Sequence, residues 1–373
     1  MTLTPVPLEP VPTAPTKIEP IFRARIWGAR SLAPLYPDQI NLPEPVGEAW
    51  LTAVDCRIAT GPYVGKFLGA AWREMPVEWR GAALANVPEF PILAKFIFPA
   101  DKLSIQVHPD DAYASANEQS AGGRGKTEMW HAVSAQPDAQ VLIGLKPDVT
   151  REQFLAALAA HAVEELFEPH AVRVGDTFFI PAGTPHAIGP HMVLCEIQEY
   201  SDLTYRVYDY GRVDAHGNPR ELHIEKALEV TDFAKTAGGG RVTHAGSQVA
   251  GAHREGGAAP ISGKPARRLL AACPFFSAER HDFTARLDLR SDPSRFEILI
   301  VLSGSGAIGW GDRKSVYRAG DCWFIPASQG EFSLHPQTAT GIVRSTVPDL
   351  SELRAEMHRN GMALQEIDKV LFA

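Results

Sequence analysis

Apolar and polar residues alternate in short runs along most of this chain, and the runs predict strands rather than helices. In SIQVHPDD (104–111), Ile105 and Val107 fall on one side of an extended segment, while Ser104, Gln106 and His108 fall on the other. Pro109 and the two aspartates after it end that strand. Helical period appears in few places. TREQFLAALAAH (150–161) opens with Thr150 and Gln153 at capping-box spacing. RELHIEKALEVTDF (220–233) places Leu222, Ala227, Leu228 and Val230 on one apolar side. A last helix is predicted from Asp349, with Glu352 at capping distance. The rest of the middle of the chain reads as short strands and turns.

One strand unit occurs twice. GDTFFIPAG (175–183) and GDCWFIPAS (320–328) share Gly-Asp, an aromatic pair and Ile-Pro-Ala in register, about 145 residues apart. Each reads as a turn, a four-residue apolar strand and a proline that ends pairing. Such units predict a duplicated β-sandwich or jelly roll. The fold class expected is mainly β: two jelly-roll barrels with a few helices between them and at the C-terminus. Four parts follow. Residues 1–20, with six prolines, form an extended arm; 21–235 form the first domain; 236–265, with eight glycines and two prolines, form a linker or loose loop; 266–373 form the second domain.

Composition narrows the partners. A formal net charge of −8 without any basic stripe argues against nucleic acid, though a local cationic cleft remains compatible with an anionic small molecule. No stretch is long and apolar enough to cross a membrane, and the first twenty residues lack the basic and apolar regions of a secretory signal. Cys56, Cys195, Cys273 and Cys322 show no CxxC spacing, which fits buried free thiols in a reducing compartment. A cytoplasmic protein is expected, as monomer or homodimer.

The first repeat carries chemistry that the second lacks. GDTFFIPAGTPHAIG matches the second motif of the cupin superfamily, G-x5-P-x-G-x2-H, at Gly175, Pro181, Gly183 and His186. The resemblance implies that His186 is a metal ligand. Two more ligands would come from one face of one strand, here Gln106-x-His108, and a fourth from Glu128 in GKTEMWHAV, beyond a loop from Asp110 to Gly125. In the second repeat Glu331 aligns with His186 and no ligand pair precedes it, so one metal per chain is expected, in the first barrel. Two imidazoles, a carboxylate and an amide oxygen suit Zn2+ first, with other divalent metals possible; the amide is the unusual member for zinc. A lone strand histidine is ordinarily a satisfied core residue, and only the joint spacing of two motifs lifts His108 and His186 above that. His131 is expected to pack or to support a ligand.

A narrower resemblance then follows. SIQVHPDD, GKTEMWHAV, GDTFFIPAGTPHAIG and EIQEYSDLTYRVYDYGR occur in this order in type I mannose-6-phosphate isomerases, and the chain resembles the short bacterial form of that family. The likeness is close over roughly 21–235 and loose beyond. RIWGAR replaces a more usual Trp-Gly-Gly, and His131 stands where an aromatic is common. The resemblance implies an aldose–ketose isomerase acting on a phosphorylated sugar. Such a reaction needs a base near C1 and C2, an electrophile for the enediolate oxygens and a phosphate anchor. It also assigns candidates. Arg206 would stabilise enediolate charge or bind phosphate, its plainer reading being a pair with Asp202 or Asp209. Glu196 is an acid/base candidate. Lys126, on Glu128's face two residues away, is the best lysine for acid/base work or substrate binding. Lys95 and Glu48 would line the substrate pocket; without the resemblance Lys95 is a surface lysine. Two rivals stand beside this reading: a metal-dependent bicupin oxygenase, against which Gln106 argues, and a non-catalytic sugar-binding cupin.

Overall fold

A strand buried on both faces must be covered on both, and the strands Ile92–Ile97 and Met192–Glu199 are buried along their whole length. The computed structural model describes residues 12–214, 216–233, 241–243 and 266–372, and it supplies both covers. Each half of the chain is a jelly roll of two antiparallel sheets. The first pairs a five-stranded sheet, which includes Ile105–Val107, His186–Ile188 and Tyr205–Tyr208, with a seven-stranded sheet, which includes Val46–Trp50, Ile92–Ile97, Glu128–Ala135, Thr177–Ile180 and Met192–Glu199. The second pairs a six-stranded with a four-stranded sheet.

The outer face of the seven-stranded sheet packs on the six-stranded sheet of the second roll. Phe96, Cys195 and Ile197 from one side meet Ile298, Phe324 and Val343 from the other in a single core. Phe296 anchors this contact, with ring centroids 5.1 Å from both Phe90 and Phe324. The interiors of the two rolls differ. Leu299, Ile308, Trp323 and Phe332 fill the second roll with apolar side chains, whereas the first keeps buried polar groups described below.

Thr16–Ile18 forms an edge strand on Cys322–Ile325, so the start of the chain is stitched into the second roll's six-stranded sheet. The linker expected at 236–265 falls outside the described residues except for Arg241–Thr243, which pairs with Thr177–Ile180 in the first roll.

The helix at Arg151–Ala159 carries the complete capping box of Thr150 and Gln153, and Leu350–Arg359 is capped by Asp349. The helix expected over 220–233 is shorter, Ile224–Val230, and Leu222 is exposed rather than part of an apolar side. The reason is a competing pairing: His223 N–H donates to the Arg206 carbonyl at 2.7 Å and the Arg206 guanidinium donates to the Glu221 carbonyl, holding 221–223 alongside Arg206. The sequence also hides three short helices, Leu68–Glu74, Val77–Arg80 and Asp111–Asn117. The first two have no capping side chain and owe their place to buried residues such as Trp72 and Trp79.

Val77–Arg80 ends at Gly81, with φ 94°. Next to it, Ala83 N–H donates to the Ser294 carbonyl and Phe296 N–H to the Arg80 carbonyl. A Cβ on Gly81 would strike the Ser294 carbonyl oxygen and the Arg295 backbone. Gly81→Ala is therefore expected to destabilise the protein by about 2–4 kcal/mol, from steric overlap and left-handed backbone together. A shift in urea midpoint with unchanged slope measures it.

Candidate metal centre and its surroundings

Three adjacent strands of the five-stranded sheet put Arg206, Gln106 and His186 directly opposite one another. Opposed residues point to one face, so all three enter the first roll, and His108 follows Gln106 on the same side. From the opposite sheet comes Glu128. His108 Nε2 lies 3.7 Å and His186 Nε2 3.3 Å from Glu128 Oε1, and all three side chains are buried. These donors lie within 4.8 Å of one another.

The protonation states follow from the partners. His108 Nδ1 is 2.9 Å from the Leu203 carbonyl and His186 Nδ1 2.8 Å from the Thr184 carbonyl. A carbonyl can only accept, so each Nδ1 carries the proton and each Nε2 presents its lone pair inward. Burial holds both imidazoles neutral; with Lys126 adding to it against Glu128, the His108 pKa falls to about 3. Glu128 is ionised: burial opposes this, but the Lys126 ammonium draws its pKa well below the usual carboxylate range.

The donor set fits a divalent ion. His108 Nε2 and Glu128 Oε1 are buried and have no hydrogen-bond partner. Donors about 2.0–2.1 Å from a tetrahedral zinc ion stand roughly 3.4 Å apart, close to the two distances above. Gln106 is arranged differently from a ligand: its Nε2 lies 3.3 Å from His186 Nε2 and would donate to it. Turning the carboxamide over brings Oε1 to that place, as ligation requires.

Beside the ligands runs one cross-strand row, Trp50, Lys95, Glu196, Trp130 and Phe178, spanning five strands. Lys95 is not a surface residue but is 1 % exposed. Its Nζ lies 2.9 Å from Asp202 Oδ1, 3.5 Å from Glu196 Oε1 and 4.6 Å from the Trp50 ring centroid. Burial would neutralise this ammonium; Asp202, Glu48 and Glu196 overcome that and raise its pKa. Lys126 Nζ lies 2.9 Å from Glu128 Oε2, and its pKa is raised too, because Glu128 and Glu196 outweigh burial. Glu196 is the opposite case. Burial and the nearby Glu128 push its carboxyl up to about 7 against the pull of Lys126 and Lys95. Glu48 is buried, accepts from Trp50 Nε1 at 2.9 Å and meets Arg25 at 2.5 Å.

Arg206 has neither carboxylate that its plainer reading offered. Asp202 holds Lys95, and Asp209 holds Arg212 and Arg220. Arg206 instead donates to the Glu221 carbonyl, and its Nε is buried without a partner. Asp202 was missed as a site residue because a half-exposed loop aspartate carries no spacing signal. Trp130 was missed because an aromatic inside EMWHAV reads as core. His131 points through the sheet, away from the ligands. It takes a hydrogen bond from Arg280 of the second roll, at 2.6 Å, and gives one to Thr177 Oγ1.

Register also shows why the second roll holds no comparable set among the described residues. Glu128 pairs with Ile180 as Glu297 pairs with Ile325, and His186 pairs with Gln106 as Glu331 pairs with Arg290. Glu297 is taken by Arg344, at 2.6 and 3.2 Å, and Glu331 is exposed.

No protein-family model matches the chain. It is 31% identical over 330 residues to the mannose-6-phosphate isomerase ManA of Bacillus subtilis, covering 86% of this chain and 96% of that one. The crystal structure of the mannose 6-phosphate isomerase from Bacillus subtilis superposes with a TM-score of 0.74 at 29% identity, over 88% of this chain and 99% of the other. A mannose 6-phosphate isomerase solved with zinc and yttrium bound shares the fold, with a TM-score of 0.64 at 18% identity over 89% and 98% of the two chains.

Proposed function

This chain belongs to the mannose-6-phosphate isomerase family, and from that premise we infer how its first roll interconverts mannose 6-phosphate and fructose 6-phosphate. The observation that carries the reading is the convergence of His108, Glu128 and His186, with two orphaned donor atoms, inside the polar barrel. His108, Glu128, His186 and a turned Gln106 would hold one zinc ion per chain. Bound there, zinc would act as a Lewis acid for substrate oxygens.

The chain's own groups divide the remaining work. Glu196, with its carboxyl poised near neutrality, removes the proton at C2 and returns it to C1. Lys95 and Lys126 stay cationic and offset the negative charge that develops on the oxygens. Asp202 and Glu48 hold Lys95 and Trp50 in place. Arg206, free of carboxylates and partly exposed, anchors the phosphate. An oxygenase would not use a proton-carrying carboxyl in this place, and a mere sugar-binding cupin would not need to keep the ligands.

The direct test is turnover of mannose 6-phosphate in a coupled assay, before and after chelation and with zinc restored. Activity lost and regained supports the reading; a zinc-loaded protein without turnover refutes it. Arg206→Met gives a second test. Loss of a charge-assisted hydrogen bond, about 1.5–3 kcal/mol, should raise KM for mannose 6-phosphate by roughly 10–150-fold with a smaller change in kcat. Steady-state kinetics measures both.

We also place the protein in the cytoplasm. The support is four buried free thiols; no helix among the described residues is long and apolar enough to cross a membrane.

A further inference from the structure

Glu196 has one partner on each oxygen, and the two partners are chemically unlike. Trp130 Nε1 donates to Oε2 at 3.1 Å, and Lys95 Nζ stands 3.5 Å from Oε1. Trp130 is fully buried, lies opposite Glu196 in register, and meets the His186 ring in a T-shaped contact at 5.3 Å and 71°. An indole N–H only donates; it neither takes a proton nor gives one up near neutral pH.

We propose that Trp130 is a positioning residue that reserves Oε2 of Glu196 as a permanent acceptor and so confines the travelling proton to Oε1, the oxygen facing Lys95. The inference rests on the reading of Glu196 as the acid/base. When Glu196 takes the substrate proton, the carbonyl-like oxygen is the better acceptor and keeps the indole bond, so the new O–H bond forms at Oε1. Asp202, 2.9 Å from Lys95, holds that ammonium while Oε1 is protonated. The carboxyl then needs no rotation between taking the proton from C2 and returning it to C1. The charged groups acting on this carboxyl are Lys95 and Glu128 from the strands on either side, Glu48 from the strand beyond Lys95, and Lys126 from the loop before Glu128. None of them meets Oε2 within ion-pair distance among the described residues, which leaves that oxygen to the indole.

The experiment uses the zinc-loaded full chain. Trp130→Phe should lower kcat about tenfold, the equivalent of one lost hydrogen bond of about 1.4 kcal/mol, with KM and zinc content within about twofold of the parent. The acid limb of the kcat–pH profile should move up, since a bond that favours the charged carboxylate is gone. Trp130→His, which keeps a ring N–H, should recover part of the rate. Should Trp130→Phe not fold, Trp130→Met, flexible enough to fill part of the space and without any N–H or O–H donor, should give the same result. In a Glu196→Gln background, Trp130→Phe should change the residual rate little. Unchanged kcat and pH profile in Trp130→Phe would overturn the proposal, as would a rate loss that tracks zinc loss or thermal midpoint. A fully active Glu196→Gln enzyme instead overturns the reading beneath it, so the two failures are distinct.

Discussion

His108→Ala and His186→Ala each release the metal and reduce turnover by well over a thousandfold. Removing a single electrostatic donor from an active site costs about 10²–10³ in rate, and here the whole ion goes. Neither variant keeps enough donors: one imidazole, Glu128 and the unusual amide ligand Gln106 remain. The fold should persist. Both rings are neutral in the fold, so near neutral pH little folding energy is tied to their charge; only below the ordinary imidazole range does burying them uncharged cost stability. Each deletion leaves one carbonyl, of Leu203 or Thr184, without its ring partner, and opens a small polar cavity. That costs about 1–3 kcal/mol, a modest fall in thermal midpoint. Metal content by plasma mass spectrometry, coupled-assay rates and near-ultraviolet circular dichroism separate the three quantities. A metal-free His108→Ala protein that still turns over would falsify the assignment.

Glu196→Gln should be the next most damaging change, lowering kcat by roughly 10²–10⁴ while KM stays near the parent value. Glutamine keeps the shape and still accepts from Trp130, but it carries no proton. The sign of the pH dependence follows from the same residue. A base works ionised, so kcat falls as pH drops through its pKa. Burial and Glu128 put that pKa near 7 in the protein alone, and a bound cation moves it downward. The acid limb of the parent enzyme is therefore expected at or below about 7, and it should vanish in the residual activity of Glu196→Gln. An unchanged limb in that variant would assign it to another group.

Much of this is legible in the sequence. The alternation in SIQVHPDD put Gln106 and His108 on one face because a strand's period is two, and the repeat of Gly-Asp-aromatic-aromatic-Ile-Pro-Ala exposed the duplication. Thr150 and Asp349 marked their helices because capping is local chemistry. What escaped depends on distant partners. Leu68–Glu74 is held by burial of Trp72 against Phe90 and Phe296, and no spacing within seven residues announces that. Leu222 left its helix because Arg206, on a separate strand, claimed the neighbouring backbone. Lys95 looked like solvent-facing charge until Asp202, over a hundred residues later, came to meet it. Trp130 could not be told from core because its nitrogen finds Glu196 only when two strands pair.

The strand Thr16–Ile18 has an implication for how the chain is made. Among the described residues the one strand it pairs with in a sheet is Cys322–Ile325, while a bridge from Ile18 to Ile58 holds its other edge, so Thr16–Ile18 waits for a segment synthesised much later. At roughly 5–20 residues per second, the intervening three hundred or so residues take about 15–60 seconds to emerge. During that interval Lys17 N–H has Thr60 Oγ1 on one edge, but the edge that will face Cys322–Ile325 is unclaimed, a condition that invites pairing with a stranger. The six prolines among the first twenty residues supply no such donors and discourage extension of any wrong ladder. On this account the prolines flanking Thr16–Ile18 act in time, keeping a late-closing seam clean until its partner is synthesised.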